Sequence, residues 1–224
     1  MAEEPQTGLP LKLALFQSVN PHLVGEGFKL NASRDRFVRR RDGIADIFHI
    51  SCTRAVRGYY LDPGRSVSID RVEEIFHQTS GFEPKTQKDT PTMGTRVGPI
   101  LNGRPTSSKL LLKSEADINH MTGSIVRIFR EDALPYFERW SPLVAIDAEL
   151  NGDPTKITIH RGPVWSRCST GIIVARLVGR SDYRELADFY LDVMARNSGG
   201  FYLHRFLALI DSLESIEAGS GITI

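Results

Sequence analysis

Asp42-Gly43, set between "RFVRRR" and "IADIFHI", restricts this chain more than any other dipeptide in it. Both residues tolerate positive φ, which is what the two-residue type I′ turn of a β-hairpin requires. A turn there fixes the register. Arg41 faces Ile44, Arg40 faces Ala45, Arg39 faces Asp46, Val38 faces Ile47 and Phe37 faces Phe48. Side chains alternate along a strand, so Arg39 and Arg41 share a face with Phe37 and Phe48. Arg36 and Arg40 share the other face with Val38 and Ile47. The cluster Arg34, Arg36, Arg39, Arg40 and Arg41 is thereby divided, and its members cannot all meet one ligand. Asp46 gains an opposite charge across the ladder, a pair worth about 0.2–1 kcal/mol.

The flanking segments extend this pattern. Leu11, Leu15, Val19 and Leu23 recur every four residues and predict an N-terminal helix, kinked or split at Pro21 and ended by Gly25 and Gly27. "RGYYLD" (57 to 62) and "RSVSI" (65 to 69) read as two more strands turning through Pro63-Gly64. Asp70 with Glu73 has capping-box spacing and opens a helix to about 79. Residues 80 to 108 are rich in Gly, Pro, Thr and Lys, with a possible second hairpin at Asn102-Gly103. A loop of that length in a compact domain is a candidate for recognition. From Ser114 the signals turn helical. Ser114 and Asp117 cap a helix interrupted near Pro135, and "PLVAIDAEL" forms a short one. "TKITIH" (155 to 160) reads as a stray strand, and three helices follow at about 167–179, 182–197 and 200–217, with Asp182 and Glu185 at cap spacing.

The fold class expected is α+β: an N-terminal helix on an antiparallel meander, then a mostly helical C-terminal half. A chain of 224 residues can bury a core without disulfides. Residues 1–113 and 114–224 are read as two halves of a single domain sharing one core. The first half carries 17 Lys and Arg against 12 Asp and Glu, and the second 11 against 15. That asymmetry lets the halves attract each other, and it also leaves a basic surface for an anionic partner. Cys52 and Cys168 are too few for a disulfide framework and point to a reducing, cytoplasmic setting. The acidic N-terminus "MAEEPQTGLP" lacks the pattern of a signal peptide, and no stretch approaches the length of a membrane span.

Motifs for chemistry are sparse. The six histidines form no H-x-H, H-x-x-H or H-x-x-x-H pair, so neither a metal site nor a cofactor is implied. His49 and Cys52 are an odd number apart on a strand and point to opposite faces, which argues against a Cys-His dyad. Glu83-Pro84-Lys85 imitates part of a metal-nuclease motif, with Asp62 or Asp70 upstream, but loop composition explains it better. Phosphate-cradling glycine loops and nucleophile elbows are absent from the sequence.

The stretch "LVGEGFKLNASRDRFVRRRDGIADIFHI" (23 to 50) resembles the opening of small uncharacterised bacterial domains. In these an amphipathic helix ends at Gly-Phe and a basic strand follows. The resemblance covers the first third of the chain. It implies an α+β scaffold of the kind used by immunity-type and other cytosolic binding proteins, with no activity to carry over.

Three functions are weighed. The first is a non-enzymatic cytosolic binding protein with a protein partner, recognising it through loop 80–108 with Lys85, Lys88 and Arg96. Deleting residues 86 to 96 would then leave stability nearly unchanged. The second is a nucleic-acid-binding or processing protein using Arg36, Arg40, Arg54 and Arg57, with Tyr59 and Tyr60 for stacking. The third is an enzyme using His77, His120 or His160 with a nearby carboxylate.

Overall fold

The computed structural model describes residues 8–88, 90–97, 100–101, 104–105 and 110–221. In chain order the elements begin with α1 (Gly8–Val24), β1 (Lys29–Asn31), β2 (Arg36–Arg41), β3 (Ile44–Arg54) and β4 (Tyr59–Ile69). Next come α2 (Asp70–Thr79), α3 (Pro84–Gln87), β5 (Met93–Arg96), β6 (Ile100–Leu101), β7 (Arg104–Pro105) and β8 (Leu110–Leu112). The remainder is helical: α4 (Ile118–Ile128), α5 (Leu134–Trp140), α6 (Leu143–Asn151), α7 (Val164–Val178), α8 (Tyr183–Arg196) and α9 (Leu203–Glu214). The sheet order is β1-β2-β3-β4-β5, with β8 also on β4, and β6 pairs separately with β7. This is the α+β arrangement expected, with the sheet in meander order. The contacts group the chain into two compact units, Met1–Ser66 with Thr95–Phe137, and Val67–Gly94 with Glu138–Ile224. Their boundaries do not follow a division at 113/114.

In the first unit, the sheet face bearing Phe37 and Phe48 is covered by aromatics. Phe16 of α1 stacks on Phe37 at 5.8 Å. Phe129 meets Phe48 at 5.4 Å and Phe28 at 5.0 Å, and Phe137 meets Phe28 at 5.6 Å. Leu15, Val19 and Leu23 are buried beside them, as their spacing requires. Each such side chain contributes about 1.5–3 kcal/mol of transfer free energy. Ser114 and Asp117 form the capping box read from the sequence. Between α4 and α5 the helix widens into a π-turn, Phe129–Ala133, which makes room for the Pro135 ring in the following turn.

In the second unit, α6, α7 and α8 are joined by buried polar contacts. Tyr190 donates to Asn151 Oδ1 (2.7 Å), and Asn151 donates to Asp147 (2.6 Å) and to the Gly171 carbonyl (2.9 Å). Gly171 is required there, because a Cβ would sit 2.7 Å from Asn151 Oδ1.

Several expectations need correction. Helix α1 runs through Pro21 without splitting, since a proline in the last turn disturbs few hydrogen bonds. Pro63-Gly64 does not turn the chain, and β4 is one continuous strand in which the Pro63 carbonyl accepts from Val97 N–H at 2.9 Å. Asp70 and Glu73 make no capping box, because buried Glu73 is held by Thr90 (2.7 Å) and Thr92 (2.8 Å). Asp182 likewise turns to Arg180 (2.6 Å) instead of capping α8. Residues 155–160 are not a strand. Asp153 ties Thr155 into a turn, and Thr158 donates to Glu149 at 2.7 Å. Loop 80–108 contains α3, β5 and the β6/β7 ladder, while Asn102-Gly103 lies outside the described residues.

Candidate functional site

The hairpin has the register read from its turn. Asp42 and Gly43 take φ of 43° and 73°, and β2 pairs β3 from Arg36↔His49 to Arg41↔Ile44. The arginines divide accordingly. Arg39 and Arg41 both reach Asp46, whose side chain is 0% exposed. Arg39 Nε donates to Oδ2 at 2.9 Å, and Arg41 donates from Nε at 2.9 Å and from Nη2 at 3.3 Å. Arg39 also lies over the Phe28 ring at 4.8 Å and donates to the Glu26 carbonyl. These two guanidinium groups therefore hold the hairpin together.

The opposite face is built differently. Lys29 pairs with Val38 and Asn31 with Arg36 across β1 and β2, so Lys29, Asn31, Arg36, Val38 and Arg40 project from one side. They line an open groove of about 680 Å³, joined by Ser33. Lys29 and Arg40 are exposed, and Arg36 is half-buried. Burial holds the Arg36 guanidinium below its ordinary pKa, and repulsion from Arg34 and Arg40 adds to this. Arg36 nevertheless stays charged, as guanidinium does throughout the working range of proteins. Like charges gathered on one wall form a field that favours an anion.

Arg36 also begins a row of polar groups that crosses the strands. Its direct partner on β3 is His49. The His49 ring lies against Gly64 of β4, where a Cβ would come within 3.1 Å of ring Cδ2 and closer still to Nε2 and Cε1. Asp62, two residues from Gly64, occupies the same face of β4. Its Oδ2 meets Arg96 Nη1 at 2.8 Å, while its buried Oδ1 has no hydrogen-bond partner among the described residues. Burial lowers the pKa of His49. Asp62 opposes that shift, and Arg96 and Arg36 reinforce it. At neutral pH the imidazole is accordingly the uncharged member of the row.

The other sequence-derived candidates lie elsewhere. Arg54 ends β3, Arg57 sits in the turn after it, and both are exposed. Tyr59 and Tyr60 pair with Leu112 and Leu111 of β8. None of these four is among the described residues lining the groove. Lys85 in α3 and Lys88 just after it are exposed on the second unit. Arg96, read as part of the loop, ends β5 and pairs with Asp62. The segment expected to be removable is built in: Met93 and Thr92 are buried, Thr92 donates to Glu73, and Gly94 N–H donates to the His160 carbonyl at 2.7 Å. Lys29 and Asn31 were not among the candidates, and His49 and Asp62 were weighed only beside Cys52 and in the Glu83-Pro84-Lys85 pattern. A three-residue strand leaves no periodic signal, although the parity of His49 against Arg36 was available once the turn had been placed.

The remaining chemistry-bearing residues have structural surroundings. His77 contacts Ser80 (3.0 Å), Thr90 (2.6 Å) and the Gln87 carbonyl (3.1 Å), which fastens the segment after α2. The His160 ring packs tilted against Trp140, centroids 4.9 Å apart, and His120 is exposed on α4. None of the three is among the described groove residues. Glu83-Pro84-Lys85 starts the short helix α3, not a core strand. Cys52 donates to the Ile50 carbonyl, its electrostatic neighbours are Asp35 and Lys12, and burial pushes its thiol up to about 12. Burial does the same to Cys168. Among the described residues no group of three or more His, Cys, Asp or Glu side chains could hold a metal ion. No helix among them is long and apolar enough to cross a membrane.

The chain was compared with family models, curated proteins and solved structures, and none matches it.

Proposed function

We propose that this chain is a binding protein whose groove, walled by Lys29, Arg36 and Arg40, takes an acidic segment of a protein partner. One observation carries the reading: three cations project from the same face of β1 and β2 into one open groove. An extended acidic segment is complementary to that wall in charge, and Val38 offers it apolar contact between the cations. A single-stranded nucleic acid is the less suited anion, because the described lining includes no aromatic ring on which a base would stack. Two free cysteines fit a reducing compartment, and we assign the protein to the bacterial cytoplasm.

Fluorescence anisotropy with a labelled peptide of alternating Asp and Ser tests the assignment. The peptide binds, with an affinity that falls as salt rises. Arg36→Gln with Arg40→Gln together weaken it about tenfold, the sum of two partly exposed charge contacts of about 0.5–1 kcal/mol each. An oligonucleotide that binds more tightly, with a steep dependence on salt, transfers the groove to nucleic acid. Indifference of both probes to the double substitution removes the groove reading.

A further inference from the structure

The row Arg36, His49, Asp62 and Arg96 lies on the groove side of the sheet yet contributes only Arg36 to the described groove lining. His49 stands between Arg36 on β2 and the Asp62–Arg96 pair on β4 and β5. No other titratable or charged side chain is among the influences resolved on it. We infer that His49 is a proton-operated control on the groove: a proton taken up behind Arg36 tightens the hold on an acidic segment, and a bound segment in turn favours the proton. The inference rests on the anionic reading of the groove.

The physical argument is linkage. In the empty protein a proton on His49 is opposed by burial and by two guanidinium groups, with Asp62 alone favouring it. A carboxylate-rich segment seated against Arg36 offsets part of that positive potential, so the bound state accepts the proton more readily. Thermodynamic reciprocity then requires the protonated protein to bind the segment more tightly by the same factor. Gly64 keeps this arrangement compact. It lets the imidazole lie directly on β4, where any side chain would displace the ring from the row. Burial keeps the ring neutral in the free protein, with its midpoint below the ordinary histidine value, so acidification is what brings the proton.

The same Asp/Ser peptide is the probe, since its carboxylates stay ionised above about pH 5.5. Binding by the wild-type chain is expected to tighten about threefold to tenfold between about pH 7.5 and pH 5.5. His49→Gln is expected to bind with an affinity independent of pH over that interval. A wild-type affinity that does not change with pH overturns the inference, and so does a His49→Gln variant that keeps the wild-type slope. NMR titration of the His49 ring gives an independent reading should that variant fold poorly. Its midpoint rises when peptide is added, and it rises without peptide in Arg36→Gln; an unmoved midpoint in either case overturns the coupling. Failure of the groove itself looks different: no peptide bound at any pH, or binding untouched by Arg36→Gln with Arg40→Gln.

Discussion

Asp46→Asn separates the structural arginines from the groove arginines most cleanly. The Asp46 carboxylate is 0% exposed and accepts three guanidinium hydrogen bonds, at 2.9, 2.9 and 3.3 Å. Removing one partner of a fully buried ion pair costs about 3–5 kcal/mol. Here the side chains of Arg39 and Arg41 keep 23% and 40% of their exposure, so water recovers part of their solvation. Asparagine preserves the shape and one acceptor oxygen, but it turns an amide N–H toward a guanidinium. Charge-assisted hydrogen bonds contribute about 1.5–3 kcal/mol each, and partial exposure puts these at the low end. The expected loss is therefore about 2–3 kcal/mol. With a urea slope of about 2 kcal/mol/M, the midpoint followed by circular dichroism drops by about 1–1.5 M. Arg40→Gln, exposed on the opposite face, shifts it by no more than about 0.25 M, the ordinary effect of a surface change. A displacement for Asp46→Asn as small as that of Arg40→Gln would show that the buried carboxylate does not anchor the hairpin.

Gly64→Ala forces a methyl into the His49 ring and is expected to cost about 1–3 kcal/mol by overpacking, most of it recovered when His49→Ala is added. An uncorrected loss in the double variant would mean that backbone, not the ring, fills that space. Stability should also depend on pH. Burial lowers the pKa of both His49 and His77, so the unfolded chain binds more protons than the folded one once pH falls below about 6.5. Stability is full above that value and declines as pH drops toward the folded-state midpoints. Urea melts of His49→Gln and His77→Gln should each flatten the decline, and a slope unchanged in both refutes the assignment. Cys168 is buried and Cys52 half-buried, and burial pushes both thiols up to about 12, so both should react slowly with iodoacetamide at pH 8 until the protein unfolds; alkylation of Cys168 in the folded chain as fast as in urea contradicts its burial.

The hairpin was legible because its turn imposes a backbone conformation that few residue pairs tolerate, and parity then determines every facing pair. The amphipathic helices were legible for a similar reason, since burial of one face repeats along the chain. Where the reading failed, a local signal competed with a distant partner. Pro63-Gly64 resembles a turn, but the glycine there serves the His49 ring on the next strand. Glu73 sits at capping distance from Asp70, yet Thr90 and Thr92, 17 and 19 residues away, claim its carboxylate. Asp182 fails to cap for a nearer reason, because Arg180, two residues before it, claims its carboxylate. The site was half legible. The division of Arg36 and Arg40 from Arg39 and Arg41 follows from the turn alone. The contributions of Lys29, Asp62 and Arg96 depend on which strands become neighbours, and that order is set by the whole sheet.

The most direct measurement sets two double variants side by side, Arg36→Gln with Arg40→Gln and Arg39→Gln with Arg41→Gln, each assayed for thermal midpoint and for capture of the Asp/Ser peptide. The first pair should bind the peptide about tenfold more weakly and keep its midpoint within about 2 °C, while the second loses several degrees and keeps the wild-type affinity for the peptide. Equal loss of capture by both pairs would mean that the guanidinium groups act together as one surface, and the division of the hairpin into a structural face and a binding face would be wrong.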